Sequence, residues 1–320
     1  MIPESVPSYN SASPGRDSRL LRKADSMRSI YCPLALPRQG LPALEFALSP
    51  GPQSPAARRK PSVSLPLDPS KHSSEAFFAP SDFIGYIKGK GILGSRPAPE
   101  AVILSYQRSL LEYAETSRKV TRAEGYFGGQ VSYLEETGGK VAIVGRFGVG
   151  SPAAAVMLEE LVAWGVRRFV SVGTAGSLVL DLPPGSLLLC TGALRDEGTS
   201  YHYAPAGAEA LPSAGLTDRL GRELTARGLG HRRGTTWTTD AIYRETAGEV
   251  RKFRDQGVLV AEMEAAALFT VAAYRKVEIA ACFSVSDTLA ELAWRPEFHA
   301  ETTQEGLVAI FESAVASLAG

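Results

Sequence analysis

From Lys71 onward the apolar positions fall alternately into short continuous runs and into stretches spaced three and four residues apart. Ala101–Ser105 (AVILS) is a short apolar run feeding the helical pattern Arg108–Arg118. Lys140–Gly145 (KVAIVG) reads as a buried strand and enters a Gly-rich turn, Arg146–Gly150. Ser151 is placed as a helix N-cap with Pro152 at the first helical position. That helix runs through Val156, Glu160 and Trp164 to a stop at Gly165. Arg168–Val172 predicts the next strand, ending in a second Gly-rich turn, Gly173–Gly176. Leu187–Thr191, Thr235–Thr239, Val258–Ala261 and Glu278–Ser284 predict further strands; Leu211–Gly228, Met263–Tyr274 and Thr303–Leu318 predict helices. Strands alternating with helices imply an α/β fold, a single domain with a central mixed, largely parallel sheet flanked by helices. The roughly 250 residues involved suffice for one such domain with a substantial core.

Before residue 70 the text is different. Of the 21 prolines, 12 fall in residues 1–70 beside 12 serines, and residues 1–60 hold nine Lys/Arg against four Asp/Glu. Such a segment cannot bury enough apolar surface to offset its ordering entropy. The expectation is a disordered Pro/Ser/Arg-rich extension over 1–70 and a catalytic domain over 71–320. Arg16–Arg28 has the Arg and Ser content of a targeting peptide, but Glu4, Asp17 and Asp25 argue against one. Over the whole chain 34 basic residues balance 34 acidic ones, so no global charge points to nucleic acid or a membrane surface. No apolar run approaches the roughly 18 residues of a spanning helix. Cys32, Cys190 and Cys282 are odd in number and far apart, which excludes a disulfide framework and a thiolate zinc site. The four histidines show no metal-ligand spacing. A cytoplasmic protein without a metal is expected.

Ligands in open α/β sheets gather at the carboxyl ends of strands, and two of those ends here are Gly-rich. Gly145–Gly150 is neither a P-loop nor a GxGxxG turn, which sets a dinucleotide dehydrogenase aside. Glu262, Met263 and Glu264 follow a strand. If the chain stays extended there, both carboxylates face one side; otherwise they are first-turn acids favouring a helix dipole. Asp287, after the apolar Ala280–Phe283, is either a desolvated general acid or the cap of a helix beginning at Thr288.

Four motifs then occur in order: Gly148–Pro152 with Glu159-Glu160-Leu161 and Val172–Gly176; Arg195–Pro205; Val260–Ala267; and Val285-Ser286-Asp287. Together, over about residues 141–290, they resemble the nucleoside phosphorylase family, of the purine nucleoside and uridine phosphorylase type. The resemblance weakens through 71–140 and is absent before. It implies phosphate-dependent cleavage of a ribonucleoside N-glycosidic bond to free base and ribose 1-phosphate. Asp287 tilts the base toward a purine, while Arg195–Pro205 tilts it toward uridine. By the same resemblance Glu264 accepts the ribose hydroxyls beside Glu262 and Met263, and His72 reaches the ribose of an adjacent protomer. Asp287 protonates the leaving base, and Ile242, Tyr243, Arg244 and Ser286 fall in the base pocket. Thr174 and Gly148 hold phosphate.

The phosphate motif departs from the family in two places. Ser171 stands where an arginine is expected, and Ser105–Arg108 replaces a Gly-Asp-Pro-x-Arg turn, so that only Arg108 aligns. Arg122, ahead of Gly125–Gly128, resembles an arginine that reaches into a neighbouring subunit. Arg146 is expected to replace the cation missing at 171, with Arg108 and Arg122 completing the pocket. No cofactor is implied beyond phosphate as co-substrate. The partners implied are a nucleoside and phosphate, with no nucleic acid and no membrane, in a homo-oligomer, trimer or hexamer, whose subunits share sites. The alternatives are a nucleoside hydrolase using water and a non-catalytic nucleoside-binding protein.

Overall fold

The computed structural model describes residue 65, residues 67–125 and residues 131–320. Nearly all of the segment expected to be disordered, and Tyr126–Gly128 of the motif after Arg122, lie outside the described residues.

Strand β1 (Ala101–Ser105) is wholly buried and pairs in parallel with β4 (Val141–Val144) on one side and β5 (Arg168–Ser177) on the other. Beyond β4 come β3 (Val131–Leu134) and β2 (Val120–Arg122), both antiparallel. On its other flank β5 runs parallel to β9 (Glu278–Thr288) along its whole length. β6 (Leu187–Asp196), β7 (His231–Thr239) and β8 (Val258–Glu262) run parallel to one another, and β6 meets β9 antiparallel. β8 returns to β5 through Gly176↔Ala261 and Ser177↔Val260, so β5, β9, β6, β7 and β8 close into a ring. A short β10 (Arg295–Pro296) pairs with the end of β9. The sheet is mixed, and its longest ladders, β5 with β9 and β6 with β7, are parallel.

Helices cover both faces. α1 (Pro80–Gly89), α3 (Ser151–Trp164) and α6 (Ala265–Arg275) bury Leu158, Leu161, Leu268 and Phe269 against Phe169 and Phe283 of the sheet. α2 (Arg108–Ser117), α4 (Ala214–Ala226) and α7 (Glu301–Ala319) bury Leu110, Leu111, Leu220, Ile310 and Phe311 on the other face. Each such side chain contributes roughly 1.5–3 kcal/mol of transfer free energy. α5 (Ala247–Asp255) packs Phe253 on Trp237 outside the ring and starts at a capping box of Thr246 and Glu249. Among the described residues no helix is long and apolar enough to cross a membrane. Cys190 and Cys282 are free and buried in the two cores, and burial pushes both thiols up.

Three expectations are corrected. β5, β6 and β9 continue past Val172, Thr191 and Ser284, because neighbouring strands go on supplying hydrogen-bond partners after the apolar pattern has ended; Gly173–Gly176 is strand and not turn. Gly150, at φ 93°, and not Ser151, occupies the N-cap of α3. The Ser151 hydroxyl instead donates to the Met263 carbonyl at 2.8 Å. No helix begins at Thr288, where β9 ends, so Asp287 caps none.

Candidate functional site

The junction between β8 and α6 is organised by a carboxylate. Glu262, the last residue of β8, is buried, and its Oε2 accepts the backbone N–H groups of Glu264 and Ala265, both at 2.8 Å. Its Oε1 accepts the hydroxyls of Thr238, at 2.5 Å, and Thr236, at 3.3 Å. Burial outweighs these bonds and raises the Glu262 pKa. Glu262 thus holds the start of α6 from the end of β8, and the chain bends after it, so the two carboxylates do not share one extended face. Glu264, at φ −135° and ψ −32°, turns toward the Gly-rich turn after β4 and accepts the Gly150 N–H at 2.6 Å. Burial, then the Glu262 charge, pushes the Glu264 carboxyl up to about 8. Met263 lies over the same turn, where a Cβ on Gly150 would be 4.0 Å from its methyl. Gly148 and Gly150 take φ 98° and 93°, which glycine adopts freely. Arg146 takes φ 63°, a conformation costing a non-glycine residue roughly 1–2 kcal/mol.

A second cluster forms where β1 ends. The Tyr106 hydroxyl lies 3.0 Å from Ser171 Oγ, and the Gln107 amide donates to Thr174 Oγ1 at 3.0 Å. Burial, then the charge of Glu264, raises the Tyr106 phenol well above its ordinary value. Beside Thr174 opens a cleft of about 930 Å³ that also exposes Arg108, Phe298 and His299. Arg108 reaches it while paired with Glu112 at 2.6 Å. The other two expected phosphate cations lie elsewhere. Arg122 pairs with Glu115 at 2.6 Å. Burial acts against ionising Glu115, but bonds from Arg122 and Ser132 and the charges of Arg122 and Arg146 hold its pKa low. Arg108 lines the same cleft as Thr174, while Arg122 and Arg146 act on Glu115, so within one chain the three arginines form two groups.

The third cluster surrounds Asp287. Ser286 Oγ donates to Oδ1 at 2.8 Å and the Trp294 indole N–H to Oδ2 at 3.0 Å. Burial raises the Asp287 pKa against both bonds. A Cβ on Gly176 would stand 2.9 Å from Oδ2, so the carboxyl rests directly on β5. Ile242, Tyr243 and Arg244 form an exposed 3-10 turn after β7. Glu245 follows them, and its pKa is pushed up to about 7 by burial and then by Asp287. His72 Nε2 lies 2.9 Å from the Tyr201 carbonyl, in the loop after β6. Tyr106, Gln107, Glu245 and Trp294 were not singled out as site residues. Tyr106 and Gln107 are signalled only by following a buried strand directly, and Glu245 by being an acid in a loop at a strand end. Among the described residues no group of three or more acidic, His or Cys side chains is placed to hold a metal.

Strand β5 links the three clusters, presenting Ser171 and Thr174 to Tyr106 and Gln107 and Gly176 to Asp287, and pairing Gly176 with Ala261 of β8 just before Glu262. The sequence profile of the phosphorylase superfamily matches residues 91–318. A uridine phosphorylase of Haemophilus influenzae is 28% identical over 174 residues, 50% of this chain and 65% of that protein. A guanosine phosphorylase of Halorubrum lacusprofundi is 34% identical over 143 residues, 44% of this chain and 59% of that protein. A DeoD-type purine nucleoside phosphorylase of Bacillus cereus is 32% identical over 163 residues, 50% of this chain and 68% of that protein. The chain thus spans less than two thirds of the uridine phosphorylase it matches. Among the described residues the profile takes in every strand and six of the seven α-helices, from β1 at the cleft to Leu318 in α7, and by that match the chain belongs to the phosphorylase superfamily.

Proposed function

We propose that residues 71–320 form a catalytic domain that cleaves the N-glycosidic bond of a ribonucleoside with phosphate, giving free base and ribose 1-phosphate. The observation that carries this reading is the buried Glu264 carboxylate at a strand end, fixed by the Gly150 N–H and flanked by Met263. A carboxylate so held accepts two vicinal ribose hydroxyls and favours the positive charge that develops on the sugar as the C1′–N bond lengthens. Glu262 acts behind it by fixing the bend. Phosphate enters the cleft at Thr174, Gly148 and Arg108 and attacks C1′ from that side. Arg122 and Arg146 serve phosphate only if an adjacent protomer brings them to a site, as does His72 for the ribose; a trimer or hexamer with shared sites is part of the reading.

On the opposite face Asp287, whose raised pKa keeps it protonated further toward neutrality, gives its proton to the ring nitrogen of the leaving base. Ser286 orients it, and Ile242, Tyr243 and Arg244 wall the base. A carboxylic acid at that position suits a purine, whose imidazole nitrogen accepts a proton as the bond breaks. Uridine is the runner-up, supported by the likeness to uridine phosphorylases. The reaction asks for no cofactor, and a cytoplasmic setting fits a balanced charge and buried, unpaired thiols.

The test is product chromatography with inosine, adenosine, guanosine, uridine and methylthioadenosine, each with and without phosphate. Phosphate-stimulated base release with ribose 1-phosphate is expected, fastest for a purine nucleoside. Absence of ribose 1-phosphate with every nucleoside would refute the reading.

A further inference from the structure

The polar groups gathered at β5 where β1 ends, beside the cleft that the phosphorolysis reading assigns to phosphate, are a hydroxyl pair and an amide–hydroxyl pair without charge: Tyr106 with Ser171, and Gln107 with Thr174. Tyr106 is held there from three sides. Its hydroxyl meets Ser171, its ring lies edge-on to Phe147 at 5.4 Å, and its Cδ2 would be 3.1 Å from a Cβ on Gly173, so only glycine lets the ring reach Ser171. Gln107 donates an amide N–H to Thr174, while its Oε1, an acceptor suited to a water O–H and not to a phosphate oxygen, is shut off from solvent with no partner. The ionisable groups nearest Tyr106 are Glu264 and Glu262, and neither supplies a positive charge to an anion. Arg108 lies at the mouth of the adjoining cleft with its charge shared by Glu112, and Glu297 and His299 line the same rim.

We propose that Tyr106 and Gln107, with Ser171 and Thr174, form an uncharged nucleophile pocket that holds inorganic phosphate weakly and admits water as a competing nucleophile. This deepens the phosphorolysis reading and rests on it. A guanidinium grips phosphate through paired, charge-assisted bonds, whereas hydroxyl and amide groups give the weaker neutral ones. With the attraction for a dianion reduced, water occupies the same hydroxyl and amide groups. In the water reaction its oxygen bonds to C1′ as the C1′–N bond breaks, the bonding pair leaves on the base nitrogen, and the water proton ends on the base. The products are free ribose and free base. Tyr106 also fills the space in front of Ser171, so a cation cannot be restored at 171 while the phenol stands there.

The experiment pairs calorimetry of inorganic phosphate binding to the full chain with product analysis of a nucleoside incubated with and without phosphate. Wild type is expected to bind phosphate only in the millimolar range and to release some free ribose in phosphate-free buffer. Tyr106→Ala/Ser171→Arg is expected to bind phosphate about tenfold tighter and to lower the half-saturating phosphate concentration similarly, with the nucleoside KM little changed. Should that variant fold poorly by circular dichroism, Gln107→Leu decides. It is expected to raise the half-saturating phosphate concentration severalfold while leaving the nucleoside KM in place. Micromolar phosphate binding by wild type overturns the proposal. So does a folded double variant that binds phosphate no tighter, or a Gln107→Leu protein with unchanged phosphate dependence. If no nucleoside yields either sugar product, the phosphorolysis reading falls, and the calorimetry still decides the character of the pocket.

Discussion

Replacing Glu262 separates its architectural role from that of its neighbour. Glu262→Ala leaves two buried backbone donors, the N–H groups of Glu264 and Ala265, without their acceptor, and strips a bond from Thr238. At roughly 1–3 kcal/mol for each orphaned donor, the loss is about 2–6 kcal/mol, a large fraction of a typical folding free energy. Glu262→Gln keeps a carbonyl for both N–H groups and offers its amide to the two hydroxyls, so about 1 kcal/mol is expected. The pH dependence has a definite sign. Burial raises the Glu262 pKa above its ordinary 4.5, so its favourable contribution is complete below that value and is lost as pH rises through the folded value. The penalty of Glu262→Ala is therefore largest in mild acid and shrinks toward alkaline pH, where removing a buried charge gives partial relief. Urea unfolding followed by tryptophan fluorescence at a series of pH values measures this. An alanine variant within about 0.5 kcal/mol of wild type in mild acid, or a penalty that grows with pH, would refute the assignment of Glu262 as the acceptor that holds the start of α6.

The remaining predictions concern other clusters. Gly176→Ala puts a Cβ 2.9 Å from Asp287 Oδ2, so kcat/KM should fall about a hundredfold while the thermal midpoint moves little; unchanged kinetics would show that the carboxyl position is not critical. Asp287→Asn should lower kcat for a purine nucleoside by about 10²–10⁴ and remove the alkaline limb of its pH profile, since protonated Asp287 is the active form. Thr246→Ala removes the hydroxyl that accepts the Glu249 N–H and should destabilise the protein by about 1 kcal/mol in urea, with activity retained. Cys190 and Cys282 should react with a thiol reagent only on unfolding; labelling of either in the native protein, read by peptide mass, would contradict their burial.

How far the sequence carried depended on whether a residue's neighbours lie near it along the chain. The runs at Ala101–Ser105 and Arg168–Val172 are apolar because both faces of their strands are buried, and such runs are legible at once. The ends of β5, β6 and β9 were not, since Thr174, Asp196 and Asp287 are polar residues kept extended by partners far away in the sequence. β2, β3 and β10 are short, and their pairing depends on neighbours rather than on a period of their own. At the site, Glu264, Met263, Thr174 and Asp287 stand out by motif. That Glu262 accepts the first N–H groups of α6 depends on the bend after β8, and that Tyr106 meets Ser171 depends on β1 lying beside β5. Arg146 was expected to supply a phosphate cation from its place in a Gly-rich turn. Within one chain its charge acts on Glu115, a neighbour that the fold supplies and the sequence of the turn does not show.

The ring of strands explains why these chemistries share one place. β5 is the only strand paired with β1, β8 and β9 among the described residues, so it touches the end of β1, the strand before Glu264 and the Asp287 carboxyl, the three places where the proposed reaction puts its groups, within seven residues, Ser171–Ser177. Its ladder with β9 slips at Ala175/Gly176, and that irregularity sets Gly176 against Asp287 while Ala261 of β8 pairs with the same glycine. Phosphate attack and base departure lie on opposite sides of one sugar carbon, which requires their side chains to face each other across a few ångströms of fixed backbone. A continuous strand between two buried neighbours supplies that rigidity.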